Sequence, residues 1–179
     1  SLADTIVLST NFQLETESIK SLFSETFKQF PDSARLLEAL GTLRLSQANY
    51  NQAIQLYQRA ENISPNSVRI LNNLAMALSE VPSAHHQAPE KIQKAIDIAG
   101  PRPELLDTQG LVHLRLGDVD RAITYFLKSV NDSKDPRHRL HLLTALLKKG
   151  DRVESLVTWL QLDLKELKRS VLTPTERKD

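Results

Sequence analysis

The stretch Tyr50–Asn66, YNQAIQLYQRAENISPN, decides the fold, because Val119–Asp135, VDRAITYFLKSVNDSKD, repeats its spacing 69 residues later. Each sets a large residue three before an Ala and an aromatic four after it: Tyr50, Ala53 and Tyr57, then Val119, Ala122 and Phe126. Steps of three and four keep side chains on one face of an α-helix. The match widens on both sides, pairing Leu37 with Leu106, Gly41 with Gly110, and Ala60 with Ser129. An offset of 69 is one more than twice 34, so a third copy is expected between these two. Leu71, Leu74 and Ala75 follow Leu37, Leu40 and Gly41 by 34 residues, and Ala88, Ile92 and Ala95 follow Ala53, Tyr57 and Ala60 by 35.

These residue types have a packing logic. Small residues at Gly41, Ala75 and Gly110 let two helices approach closely, and Ala53, Ala88 and Ala122 do the same from the second helix. Gly41 and Gly110 are therefore expected to be buried against Ala53 and Ala122, with Tyr57, Ile92 and Phe126 filling the space alongside. Pro65 and Pro101 fall where a second helix must stop, since proline cannot continue one. LGDVD, Leu116–Asp120, reads as a turn in which Gly117 ends one helix and Asp118 and Asp120 favour the start of the next.

Weaker copies flank the three clear ones. KKGDRVESLVTWL echoes RLGDVDRAITYFL at an offset of 33, setting Gly150, Ser155 and Trp159 against Gly117, Ala122 and Phe126. Upstream, Ile19, Phe23, Thr26 and Pro31 echo Ala53, Tyr57, Ala60 and Pro65. The expectation is one domain over 1–179, with a degenerate unit to about residue 33, units at 34–67, 68–102 and 103–136, and a last unit at 137–172 ending in a long helix from Arg152 to about Ser170. That helix continues an apolar stripe through Leu160, Leu164 and Leu167, and is expected to cap the stack in part.

The pattern resembles the tetratricopeptide repeat (TPR), an antiparallel helix pair of about 34 residues with the form W-x2-L-G-x2-Y…A-x3-F…P. Here Leu37 stands for the Trp, followed by Leu40-Gly41, Ala53, Tyr57 and Pro65, while Arg44 departs from the family Tyr and Gln109 from the Leu. The resemblance implies an all-α, right-handed α-solenoid of four or five helix pairs, whose first helices line a concave groove that binds a peptide or helix of a partner protein. On that basis the groove residues are expected to be Arg35, Glu38 and Thr42; Arg69, Asn72, Asn73 and Met76; Asp107, Leu111 and Leu114; and His138, His141 and Lys148. One subclass of the family clamps a C-terminal carboxylate with Lys, Asn and Arg. Asn73 matches its middle Asn, but Glu38, Thr42, Glu104 and Thr108 stand where the clamp needs its other members, and acids repel a carboxylate.

Composition narrows the function classes. The chain has 179 residues, 40% hydrophobic and 25% charged, with net charge +1, as in a soluble globular domain with no global field for nucleic acid or membrane. It has no cysteine, which removes disulfides, thiol catalysis and thiolate metal sites. No apolar run approaches the roughly 18 residues of a membrane span, and nothing in the sequence names a compartment. The chain begins with Ser, which fits a processed or excised form, so the lack of a leader carries no weight.

No G-x-S-x-G, P-loop, H-E-x-x-H or dinucleotide glycine pattern is present, so the chain is read as no enzyme, without cofactor or metal. The five histidines are read as solvated, since His138 and His141 share a helix face but lack an obvious third ligand. Arg137, Arg139, Lys148, Lys149 and Arg152 join those two in a basic cluster, leading to the expectation that a partner peptide lays an acidic end over the fourth unit. No aromatics interleave with these charges, which disfavours nucleic acid. A recruiting segment of a larger enzyme, or a module that self-assembles through its terminal repeats, are the other roles the sequence allows.

Overall fold

The computed structural model describes residues 32–152 and Val157. Among them are seven α-helices, one short 3-10 turn and no strand. The helices are α1 (Ala34–Ser46), α2 (Tyr50–Ile63), α3 (Val68–Ser79), α4 (Ala88–Ala99), α5 (Pro103–Arg115), α6 (Val119–Asn131) and α7 (Pro136–Lys149). The expected units before residue 32, the second helix of the last unit, Trp159 and the Leu164/Leu167 stripe lie outside the described residues.

Local chemistry sets the helix ends. Ser33, Ser67, Asp118 and Asp135 precede α1, α3, α6 and α7, and each side chain accepts an N–H of the first turn that the helix itself cannot satisfy. Pro103 and Pro136 open α5 and α7, where a missing N–H costs nothing. The tight turns inside the units need a left-handed residue. Gly117 (φ 83°) and Gly150 (φ 86°) take that conformation freely, whereas Ala48, 69 residues before Gly117, adopts it at φ 56° with a side chain in the way. Between α3 and α4 the turn is longer and carries the 3-10 segment His85–Gln87, which accounts for the extra residue in that copy.

α1 packs on α2, α3 on α4, and α5 on α6, while successive first helices α1, α3, α5 and α7 also touch one another. The second helices present one buried column each: Ala53, Tyr57 and Ala60; Ala88, Ile92 and Ala95; Ala122, Phe126 and Ser129, all without solvent exposure. The two first-helix glycines are buried in α1 and α5, but their nearest neighbours differ from the expectation. A Cβ on Gly41 would lie 2.7 Å from the Tyr57 ring, and one on Gly110 2.5 Å from the Phe126 ring, so the ring faces of the large residues, and not Ala53 and Ala122, set the approach. In the middle unit Ala75 replaces Gly and Ile92 replaces the aromatic, both in one core cluster. A methyl gained on the first helix accompanies a ring lost from the second, as constant core volume requires.

Units join through a second contact. Ala60 of α2 and Ile70 of α3 share a cluster with Leu37, and Ala95 of α4 shares one with Leu105 of α5. At the next junction the same places hold Ser129 of α6 and His138 of α7, an apolar contact replaced by a polar one.

Gly110→Ala should lower stability by about 1–3 kcal/mol despite alanine's better helix propensity, because the new methyl strikes a buried ring. Adding Phe126→Leu should recover part of the loss, and urea melts of the two variants would show it. In contrast, Ala48→Gly should raise the urea midpoint, since relief of a left-handed alanine, worth about 1–2 kcal/mol, exceeds the entropy that glycine adds to the unfolded chain. A midpoint that falls would contradict the backbone geometry.

Candidate partner-binding groove

The first helices converge on one cleft of about 220 Å³. Asn72 and Met76 of α3 and Glu80 just beyond it form one wall, while Glu104, Asp107, Thr108, Leu111 and Arg115 of α5 form the floor. Arg137, His138 and His141 of α7 close the other side. The sequence-derived groove residues Asn72, Met76, Asp107, Leu111, His138 and His141 are thus brought together.

The others lie elsewhere. Arg35 is exposed near the start of α1, and Thr42 donates to the Glu38 carbonyl at 3.0 Å. Thr42 Oγ1 also lies 3.0 Å from the Tyr57 hydroxyl. Because the single threonine proton goes to Glu38, Tyr57 must donate there. Burial holds the Tyr57 phenol far above its usual range, outweighing the Thr42 bond, so it stays protonated. Glu38 is buried and takes Arg69 as its partner, with Nη2 2.8 Å from Oε2. Asn73 receives the Asn72 amide at 3.3 Å. Leu114 belongs to the core, packed with Ala122, Phe126 and Leu142, so the structure removes it from the groove wall. Lys148 is exposed, its Nζ 3.5 Å from the Leu114 carbonyl.

Both helix histidines are buried, correcting the expectation of solvated rings. His141 Nδ1 lies 2.8 and 2.9 Å from the two Asp107 oxygens, with its ring against Phe126. His138 Nδ1 lies 2.8 Å from Ser129 Oγ, which donates to the Pro103 carbonyl at 2.8 Å. The serine has one proton and spends it on Pro103, so His138 Nδ1–H must be the donor, and in the neutral ring Nε2 keeps the lone pair. A serine beside a histidine invites a nucleophile reading. Ser129 is wholly buried and its proton points away from the ring, which denies it both a substrate and a base.

The basic cluster is largely engaged. Arg137 clasps Asp135 with contacts of 2.6–3.1 Å. Burial alone would raise the Asp135 carboxyl, but the Arg137 bonds outweigh it and hold the group below the ordinary carboxylate range. Lys149 pairs with Asp120 at 2.7 Å on the side of α6. Among the described residues no three His, Cys, Asp or Glu side chains gather in a way that could hold a metal, and no helix is long and apolar enough to cross a membrane.

Stacked helix pairs with one face built from first helices define the class: an α-helical repeat solenoid. Family models match at two places, one described as TPR repeat over residues 41–80 and one as Tetratricopeptide repeat over residues 103–131. The chain carries tetratricopeptide repeats over these residues. The mitochondrial import receptor subunit TOM70 of Homo sapiens is 22% identical over 120 residues, covering 67% of this chain and 20% of that protein, and the Rattus norvegicus protein matches equally. The chain thus spans about a fifth of the length of these curated relatives. A thermophilic TPR protein of Thermus thermophilus superposes with a TM-score of 0.72 at 20% identity, covering 83% of this chain and 85% of that one. Pseudomonas aeruginosa pilF does so with a TM-score of 0.66 at 23% identity, covering 88% and 73%. At such identities the likeness is one of fold.

Glu80, Glu104, Thr108, Arg115 and Arg137 also line the cleft although they were not among the expected groove residues. The Ser129–His138 bond had a sequence signal: a serine in the column of Ala60 and Ala95, nine residues before a histidine. Ser129→Ala should destabilise the fold by about 1–3 kcal/mol, since it strands the His138 N–H in the core. Ser129→Ala with His138→Leu recreates the Ala95/Leu105 junction and should be markedly less harmful than the single change, a comparison that thermal melts would decide.

Proposed function

We propose that the chain is a non-catalytic scaffold that holds a segment of a partner protein along the face made by α1, α3, α5 and α7. The observation that carries this reading is one cleft that draws side chains from three successive first helices. An occupant there would be gripped by three units at once, and helices already packed on one another lose little freedom on binding. The volume, about 220 Å³, is smaller than a typical small-molecule pocket and suits one or two side chains of a longer segment. Met76 and Leu111 supply partly exposed apolar contact beside the polar groups, a mixture that fits a protein surface.

Affinity capture with the chain as bait supplies the partner, and two variants locate its seat. Leu111→Arg, on the cleft floor, should weaken the captured partner by about tenfold or more, while Gln55→Arg, exposed on α2, should change affinity by less than about twofold. Circular dichroism would confirm that both variants keep their helices. Full affinity in Leu111→Arg together with loss in Gln55→Arg would move the binding surface to the second helices.

A further inference from the structure

The cleft's charged groups are mostly committed to each other. Glu80 accepts Arg115 at 2.9 and 3.3 Å. Asp107 holds His141. Arg137 reaches past the cleft to Asp135. Arg115 spends only Nε and Nη2 on Glu80 and so keeps donors on Nη1, while three lining acceptors also keep unused capacity. Glu104 is exposed on the first turn of α5, and among the described residues its carboxylate has no hydrogen-bond or ion-pair partner. The Asn72 side chain gives its amide to Asn73 and leaves Oδ1 buried without a donor. His138, with 6% of its surface exposed, lines the cleft and spends Nδ1–H on Ser129, which leaves Nε2 as the acceptor of its neutral ring.

Resting on the groove reading above, we infer that this cleft receives a basic side chain of the partner, an arginine, with Glu104 as its counter-charge and His138 Nε2 and the Asn72 carbonyl as further acceptors. Three carboxylates line the cleft against two guanidiniums, so an added cation completes the charge set. A guanidinium is planar and carries five N–H donors, which matches several acceptors spread over three helices better than an ammonium does. Its methylene stem would lie along Met76 and Leu111, covered by apolar surface while the head is held at the acceptors. A buried acceptor without a donor is costly, and a guest N–H that reaches Asn72 Oδ1 removes that cost. This reverses the charge expected from the basic residues of α7, because those residues are already engaged around the helix.

The test is selection of a displayed library of random peptides against the whole chain, followed by titration of the enriched peptides. The expected result is a consensus with Arg at one fixed position, binding that Leu111→Arg abolishes, and an affinity that Glu104→Gln lowers by about three- to tenfold. Replacing that arginine by citrulline, which keeps the shape and removes the charge, should produce a similar loss on the unmodified protein, so the outcome does not depend on the variant folding. Peptides that compete for the same cleft but carry an acidic or apolar residue at the fixed position would overturn the inference and leave the groove reading intact. A consensus lysine bound as tightly as arginine would overturn the guanidinium assignment. Binders indifferent to Leu111→Arg, or no enrichment at all, would overturn both readings.

Discussion

Everything in this chain depends on how closely two helices of a pair can approach, and one aromatic ring lying on a glycine sets that distance. Tyr57 against Gly41 and Phe126 against Gly110 place the ring face on bare backbone, and at both sites the ring is fully buried. Dispersion over such a contact is large and falls steeply with separation. The middle pair reaches a similar fit with Ala75 and Ile92. Once that distance repeats, successive pairs stack in register, and the first helices fall on one side as a continuous face. The groove is thus a by-product of core packing, and its exposed side chains, such as Glu104, are free to vary, whereas Asp107, His138 and His141 also tie α7 to its neighbours.

The junctions between pairs show what happens when that freedom reaches the core. Two of them are apolar, Ala60 with Ile70 and Ala95 with Leu105. The third is Ser129 with His138, beside Asp107 with His141. Polar groups inside a core are tolerated when every donor meets an acceptor, and they then fix geometry that apolar contacts leave loose. Ser129 fixes which nitrogen of His138 carries the proton, and so which nitrogen of the neutral ring is left as an acceptor.

The fold was legible in the sequence because it is written three times. Chance can place an alanine four before a large apolar residue once, but Ala53, Ala88 and Ala122 with Tyr57, Ile92 and Phe126 repeat it at nearly constant spacing. The groove was legible in part for the same reason: first-helix positions can be counted off from Gly41 and Gly110. Counting fails where the register moves: the fourth copy is offset by 33 at its glycine turn, which hid the burial of His138 and His141. Leu114, in the third copy, lies on the core side of α5 against Ala122 and Phe126. Charge was the least legible property. Arg137, Lys149 and Lys148 form a cluster along the chain, yet the helix distributes them to different sides, where Asp135 and Asp120 take two of them.

The pairwise stacking also governs how the chain acquires its structure. Neighbouring helices, and first helices one pair apart, supply its main contacts. Ordering each new helix therefore closes a short loop, and the entropic cost of closure stays low throughout. The largest apolar cluster runs from Ala53 to Val112 across α2 to α5, whereas the cluster joining α5, α6 and α7 is separate and smaller. In a nearest-neighbour array the best-packed stretch nucleates and its flanks join by propagation. On this logic assembly is expected to begin in the middle of the described stack and to reach α7 late, so that the helix carrying both buried histidines docks onto a surface already formed.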